Sequence, residues 1–142
     1  MSSVPLYENI VVIDDDAAFL SLVCRHLKDA GYQVREFSEG LGALEHVLAE
    51  PPDLVLADVR MPGLDGFGFL GAMRTQAATA AVPLIFMTSV PDAKAQRKGM
   101  NLGADDFLIK PVTRTDLLDT IRARLERAAT LRADGARAAR GK

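Results

Sequence analysis

Four groups of residues in this chain have the types and spacing to do chemistry together. Three consecutive acids, Asp14-Asp15-Asp16, follow one apolar run. Asp58 follows a second run, Thr88-Ser89 a third, and Lys110, ahead of Pro111, a fourth. Carboxylates gathered in one crevice repel one another and resist full ionisation, and a hard divalent cation removes that difficulty. Mg²⁺, with Mn²⁺ as a substitute, takes oxygen ligands octahedrally and commonly combines one or two carboxylates with phosphate oxygens. Asp14, Asp15 and Asp58 meet that demand. A carboxylate is also a competent nucleophile toward phosphorus, giving an aspartyl phosphate. Phosphoryl transfer is catalysed mostly by positioning and charge, so a cation and a hydroxyl donor belong beside it; Lys110 and Thr88 supply them.

Each residue alone has a plainer reading. Asp16, ahead of Ala17, has the position of a helix N-cap, and an Asp ending a strand, as Asp58 does, is ordinarily a turn-former. Thr88 or Ser89 could cap a helix, and Lys110 could be a surface charge. What joins them is the set of elements that would carry them. Five short apolar runs, Asn9–Ile13, Gln33–Phe37, Leu54–Ala57, Leu84–Met87 and Phe107–Ile109, alternate with five helical patterns. Three of the runs (IVVI, LVLA and LIFM) are apolar throughout, as parallel strands covered on both faces are. Phe19, Leu20, Val23, Cys24 and Leu27 form one helical stripe that Gly31 ends. A second helix covers about Glu39–Glu50 and stops at Pro51-Pro52, and two more cover roughly Phe67–Thr75 and Asp92–Leu102. The last opens at Thr113 with a weak capping box to Asp116 and turns Leu117, Leu118, Ile121 and Leu125 inward. Strict alternation of strand and helix implies a doubly wound, five-stranded parallel sheet in three α/β/α layers. Such sheets bind ligands outside the carboxyl ends of their strands, which is where the acids, the hydroxyl and the lysine fall.

In sequence order, Ile13-Asp14-Asp15-Asp16, Asp58-Val59-Arg60-Met61-Pro62-Gly63-Leu64-Asp65-Gly66, Met87-Thr88-Ser89 and Gly103-Ala104-Asp105-Asp106-Phe107-Leu108-Ile109-Lys110-Pro111 resemble the response-regulator receiver family of bacterial two-component signalling, over about residues 8–127. The resemblance implies the flavodoxin-like strand order 2-1-3-4-5. It implies that Asp58 accepts a phosphoryl group from a sensor histidine kinase or a histidine phosphotransfer protein. It further implies Mg²⁺ held by Asp15 directly, by Asp14 through water, by Asp58, and by the backbone carbonyl of Arg60. Lys110 would pair with the phosphoryl group, Thr88 would hydrogen-bond it, and a cis Lys110–Pro111 peptide would aim the lysine inward. Thr88 and Phe107 would move together as a switch that remodels the surface of the fourth helix, fifth strand and fifth helix, a surface that also implies a homodimer. Phe107 stands where tyrosine is frequent in the family, which puts any step needing a phenolic hydrogen bond in doubt. Arg60 and Val90, each two residues past a site residue, are expected to tune how long the phosphoryl group survives. Such a protein is not a turnover enzyme; it assists its own phosphorylation and dephosphorylation.

Two alternatives stay open. In a haloacid-dehalogenase-like Mg²⁺-dependent phosphatase, Asp14 would be the nucleophile of the DxD pair with Asp16, but Ala18 breaks that pattern and Asp58 is left unexplained. A receiver that signals by protein contact without being phosphorylated is the other. His26 and His46 sit in different helices with no nearby acid or thiol at ligand spacing and are expected to be exposed structural residues, and Cys24 reads as a small buried hydrophobe. The hydrophobic content of 49% and charged content of 25% are those of one ordinary globular domain. The single cysteine, the absence of a signal-peptide pattern and the lack of a long apolar run together suggest a cytoplasmic protein without a membrane segment. Charge is uneven: residues 1–121 carry ten Lys/Arg against seventeen Asp/Glu, and residues 122–142 seven against two. The division expected is a receiver domain over 1–127 and a basic Ala/Arg-rich helical extension or disordered tail over 128–142. The tail lacks aromatics and any DNA-reading motif, so direct nucleic-acid binding is not expected. The output is expected through a downstream protein target or a C-terminal output domain.

Overall fold

The computed structural model describes residues 8–90 and 92–140, with side chains through residue 135. The start of the chain, read above for a signal peptide, and the last two residues of the basic tail lie outside these. Strands and helices alternate strictly: β1 (Asn9–Ile13), α1 (Ala17–Asp29), β2 (Gln33–Phe37), α2 (Gly40–Ala49), β3 (Leu54–Asp58), α3 (Gly66–Arg74), β4 (Leu84–Thr88), α4 (Ala93–Leu102), β5 (Asp106–Ile109) and α5 (Arg114–Arg140). All strand pairs are parallel and the order is β2-β1-β3-β4-β5. The three continuous apolar runs are the three central strands.

Residue parity sorts the core into two layers, because successive side chains of a strand point to opposite faces. Ile10, Val12, Leu54, Leu56, Ile85 and Met87 meet α1 and α5 through Leu20, Val23, Leu27, Leu117 and Ile121. On the other face Val11, Ile13, Val55, Ala57, Leu84 and Phe86 meet α2 and α3 through Ala43, Val47, Phe69, Leu70 and Met73. Each fully buried side chain of this kind stabilises the fold by about 1.5–3 kcal/mol relative to exposure. The three central strands are covered on both faces and open to solutes at their ends, while the edge strands β2 and β5 stay partly exposed.

Two strands run one residue beyond the apolar runs that announced them. β3 includes Asp58, whose register partner is Met87, and β4 includes Thr88, paired with Ile109. Both polar residues are therefore held by the sheet instead of by the loops after it. Helix ends follow their caps: Asp16 accepts the Phe19 N–H at 3.1 Å, Asp65 the Gly68 N–H at 2.8 Å, and Thr113 the Asp116 N–H at 3.0 Å. Helix α5 continues unbroken through the basic extension to Arg140, and residues 129–135 are exposed.

Candidate functional site

The crevice lies at the carboxyl ends of the three central strands and β5. Asp14 leaves β1 fully buried, its backbone N–H donating to the Phe37 carbonyl at 3.1 Å. Asp58, 9% exposed, closes β3, and the neighbouring Asp15 is exposed. Carboxylate oxygens of Asp14, Asp15 and Asp58 all lie within 4.8 Å of one another. Lys110, just past β5, reaches back into this group. Its Nζ donates to Asp14 Oδ2 at 2.6 Å and to Asp58 Oδ2 at 3.2 Å. The Lys110–Pro111 peptide is cis.

The remaining carboxylate oxygens are held by backbone. Asp14 Oδ1 accepts the Asp16 N–H at 2.9 Å, and Asp58 Oδ1 accepts the Arg60 N–H at 3.1 Å. Three acids against one ammonium is an unbalanced set. Burial pushes the Asp14 carboxyl above its usual range, although the hydrogen bonds from Lys110 and Asp16 pull the other way. For Lys110, burial pulls the ammonium down, but the Asp14 hydrogen bond and the charges of Asp14 and Asp58 outweigh it and leave the group above its ordinary value. An ion pair normally moves its two members in opposite directions. Here both move up, because Asp14 is wholly enclosed while Lys110 serves two acids. An all-oxygen cluster that one lysine does not neutralise suits a hard divalent cation.

Thr88 and Phe107 lie beside this cluster. The Thr88 hydroxyl accepts the Val90 N–H at 3.2 Å and lies 3.3 Å from the Val90 carbonyl, so it is engaged with its own loop. A cavity of about 60 Å³ opens next to it, lined among others by Arg60, Thr88, Val90, Gln96 and Phe107. The Phe107 ring packs on Phe86 with centroids 5.2 Å apart. Arg60 and Val90 are both on the exposed rim. Thus Asp14, Asp15, Asp58 and Lys110 form one cluster, while Thr88, Phe107, Arg60 and Val90 surround the adjoining cavity. Asp16 is turned away to cap α1.

Several contributors escaped the sequence reading. Phe19, assigned to the α1 core stripe, lies half-buried with its ring 4.3 Å from Lys110 Nζ, a cation–π contact that helps hold the ammonium. Gly66 explains part of the MPGLDG segment: a Cβ there would lie 2.6 Å from the Asp58 carbonyl oxygen and 2.7 Å from the Phe86 ring. Only glycine lets α3 start that close to the end of β3. His26 and His46 are half-buried instead of exposed, and for His46 the expectation of no nearby acid fails: Glu50, one helical turn on, lies 3.5 Å from its Nδ1, and its ring packs against Phe37. Neither stands in the crevice.

Residues 10–122 match the family model described as "Response regulator receiver domain". Among relatives, the chain is 34% identical over 118 residues to the DNA-binding dual master transcriptional regulator RpaA of Synechocystis, covering 83% of this chain and 49% of RpaA. It is 33% identical over 120 residues to the DNA-binding response regulator MtrA of Mycobacterium leprae, covering 84% and 52%. The chain thus spans about half the length of such regulators. Among solved structures it superposes on chemotaxis protein CheY4 of Vibrio cholerae with a TM-score of 0.79 at 29% identity, covering 83% of this chain and 98% of that one. A CheY-like receiver domain protein of Methanospirillum hungatei gives 0.83 at 26% identity, covering 88% and 98%.

Proposed function

The chain belongs to the response regulator receiver family, and on that premise we propose that it is the phosphoacceptor of a two-component system, taking a phosphoryl group onto Asp58. The observation that carries this reading is the Lys110 ammonium bridging Asp14 and Asp58 inside a carboxylate triad. A sensor histidine kinase or a histidine phosphotransfer protein is the donor. An Asp58 carboxylate oxygen forms a bond to phosphorus as the donor's P–N bond breaks, and the electron pair returns to the imidazole. Asp14, Asp15, Asp58 and the Arg60 carbonyl are the residues that would hold Mg²⁺, or Mn²⁺, which supplies neutralising charge at the transferring oxygens. Lys110 contributes fixed positive charge to the same oxygens, and the Arg60 N–H orients the nucleophile.

The new phosphoryl group adds about −1.5 to −2 charges and strong acceptors. Thr88 then exchanges its Val90 partner for a phosphoryl oxygen, Phe107 shifts in the adjoining cavity, and the α4-β5-α5 face is remodelled. That face carries Met100, Leu102 and Ile109 exposed, suited to a homodimer or a downstream protein target. Output through a C-terminal domain of a longer protein is the other route consistent with the half-length match. Arg60 and Val90, at the rim, set how readily water reaches the acyl phosphate. The receiver occupies residues 1–127 and residues 128–142 extend it, with the whole chain in the cytoplasm. Among the described residues no helix is long and apolar enough to cross a membrane.

Incubation with Mg²⁺ and a small phosphoryl donor, followed by trapping and peptide mapping, tests the reading. We expect one phosphoryl group on Asp58 and none in Asp58→Asn. Label on Asp14 would establish the phosphatase reading, which also needs the Asp16 carboxylate that here caps α1. No uptake together with no Mg²⁺ binding would leave a receiver that works by contact alone.

A further inference from the structure

An open groove of about 570 Å³ runs from the acidic cluster to α4, bounded by Asp15, Arg60, Pro62, Asp65, Phe67 and Lys98. Two cations face it. Lys98 Nζ lies 4.7 Å from the centroid of the Phe67 ring, and that ring is itself anchored edge-on against Phe86 at 5.5 Å. This contact, worth about 0.5–1 kcal/mol on an exposed lysine, biases the ammonium toward the groove. Among the described residues neither Arg60 nor Lys98 pairs with a carboxylate, although acids outnumber bases in the first 121 residues.

The charge around the crevice gives these cations a use. Asp14, Asp15 and Asp58 against Lys110 leave two net negative charges, which a divalent cation cancels. A loaded site is then nearly neutral and exerts no long-range pull on an anionic donor. Arg60 and Lys98 supply that pull along one approach, offset in part by Asp65. We propose that this groove is the entry path for small phosphoryl donors and that Lys98 selects doubly negative donors over singly negative ones. The proposal rests on the phosphoacceptor reading above. Lys98 acts on encounter, as a specificity-determining residue, and takes no part in the transfer.

Coulomb energy scales with the donor's charge, so removing one such cation lowers the encounter of a dianion roughly three- to sevenfold, and that of a monoanion by about the square root of that factor. The experiment compares acetyl phosphate, a dianion near neutral pH, with phosphoramidate, a monoanion, on the Mg²⁺-loaded protein. Lys98→Gln, Lys98→Glu and Lys98→Arg are measured at low and high salt. Expected are a larger loss with acetyl phosphate than with phosphoramidate in Lys98→Gln, a further loss in Lys98→Glu, and near-normal selectivity in Lys98→Arg. The differences should shrink in high salt, and the decay rate of the phosphorylated form should not change. Equal losses with both donors, a salt-independent loss, or no loss would each overturn the proposal while leaving Asp58 as phosphoacceptor. A wild-type protein that takes up phosphoryl groups from neither donor would overturn the entry path, and joined with a failure to bind Mg²⁺ it would remove the phosphoacceptor reading as well.

Discussion

Replacing Gly99 with alanine sets two effects of opposite sign against each other, and the outcome tests how α4 is seated. Gly99 is the one buried residue of α4. Helix propensity alone makes Gly→Ala in a helix interior stabilising by about 1 kcal/mol. The added Cβ, however, would lie 2.7 Å from Phe107 Cζ, 2.9 Å from Cε2 and 3.2 Å from a ring carbon of Phe86. Phe107 cannot retreat toward the core, because Phe86 already packs on it at 5.2 Å. Overpacking of this kind costs about 1–3 kcal/mol, so the net expectation is a loss near 1 kcal/mol. In a Phe107→Leu background the ring end is gone and the same substitution should gain about 1 kcal/mol. The coupling between the two positions is then about 2 kcal/mol, well above what non-contacting sites show. Urea denaturation of the four proteins, followed by far-UV circular dichroism, gives each value from the midpoint at constant slope. Gly99→Ala stabilising the wild-type background as much as the Phe107→Leu background would refute the reasoning. It would also mean that Phe107 swings aside freely, which bears directly on its proposed part in the switch.

Two further expectations concern the frame. Arg74 donates to the Val82 carbonyl at 2.7 Å, twice to the Gly103 carbonyl at 2.9 and 3.2 Å, and to Asp105 at 3.1 Å, while Asp105 accepts the Leu84 N–H at 2.8 Å. Arg74→Met should cost roughly 2–4 kcal/mol in urea denaturation, with Arg74→Lys recovering little because the fork is lost; a loss under about 1 kcal/mol would contradict the staple. Burial, reinforced by Glu36, pushes the Cys24 thiol from 9.0 up to about 12. Its thiolate fraction near pH 8 is then about a thousandfold below that of an exposed thiol. Iodoacetamide should leave the native protein unmodified and label it only in urea, and prompt native labelling would show that α1 opens locally.

The fold was legible because its periodicities are unmixed. Residues 54–57 and 84–87 are buried on both faces, so the apolar character persists at every position and marks a central strand. The same criterion stopped one residue early at Asp58 and Thr88. It uses polarity as a terminator, whereas the backbone ladder is indifferent to the side chain and carries both residues into register. The candidate cluster was legible for a related reason. Its members sit at the same end of neighbouring strands, so topology alone brings them together.

Phe19 and Lys98 were not legible, and the reason is geometric. Phe19 falls on the apolar stripe of α1, but it sits in the first turn, where the helix has just left β1 beside Asp14. A stripe assigns a side chain to the sheet as a whole and says nothing about which end of the sheet it reaches. Lys98 has no sequence signature, because its partner Phe67 belongs to α3 and their meeting depends on how two helices pack on one face. Strand ends are therefore the part of such a crevice that a sequence reveals, and helix faces the part it withholds. On the proposed approach of donors across those faces, selectivity should be encoded at Lys98 and Arg60 more than in the acids, whose positions the sheet already dictates.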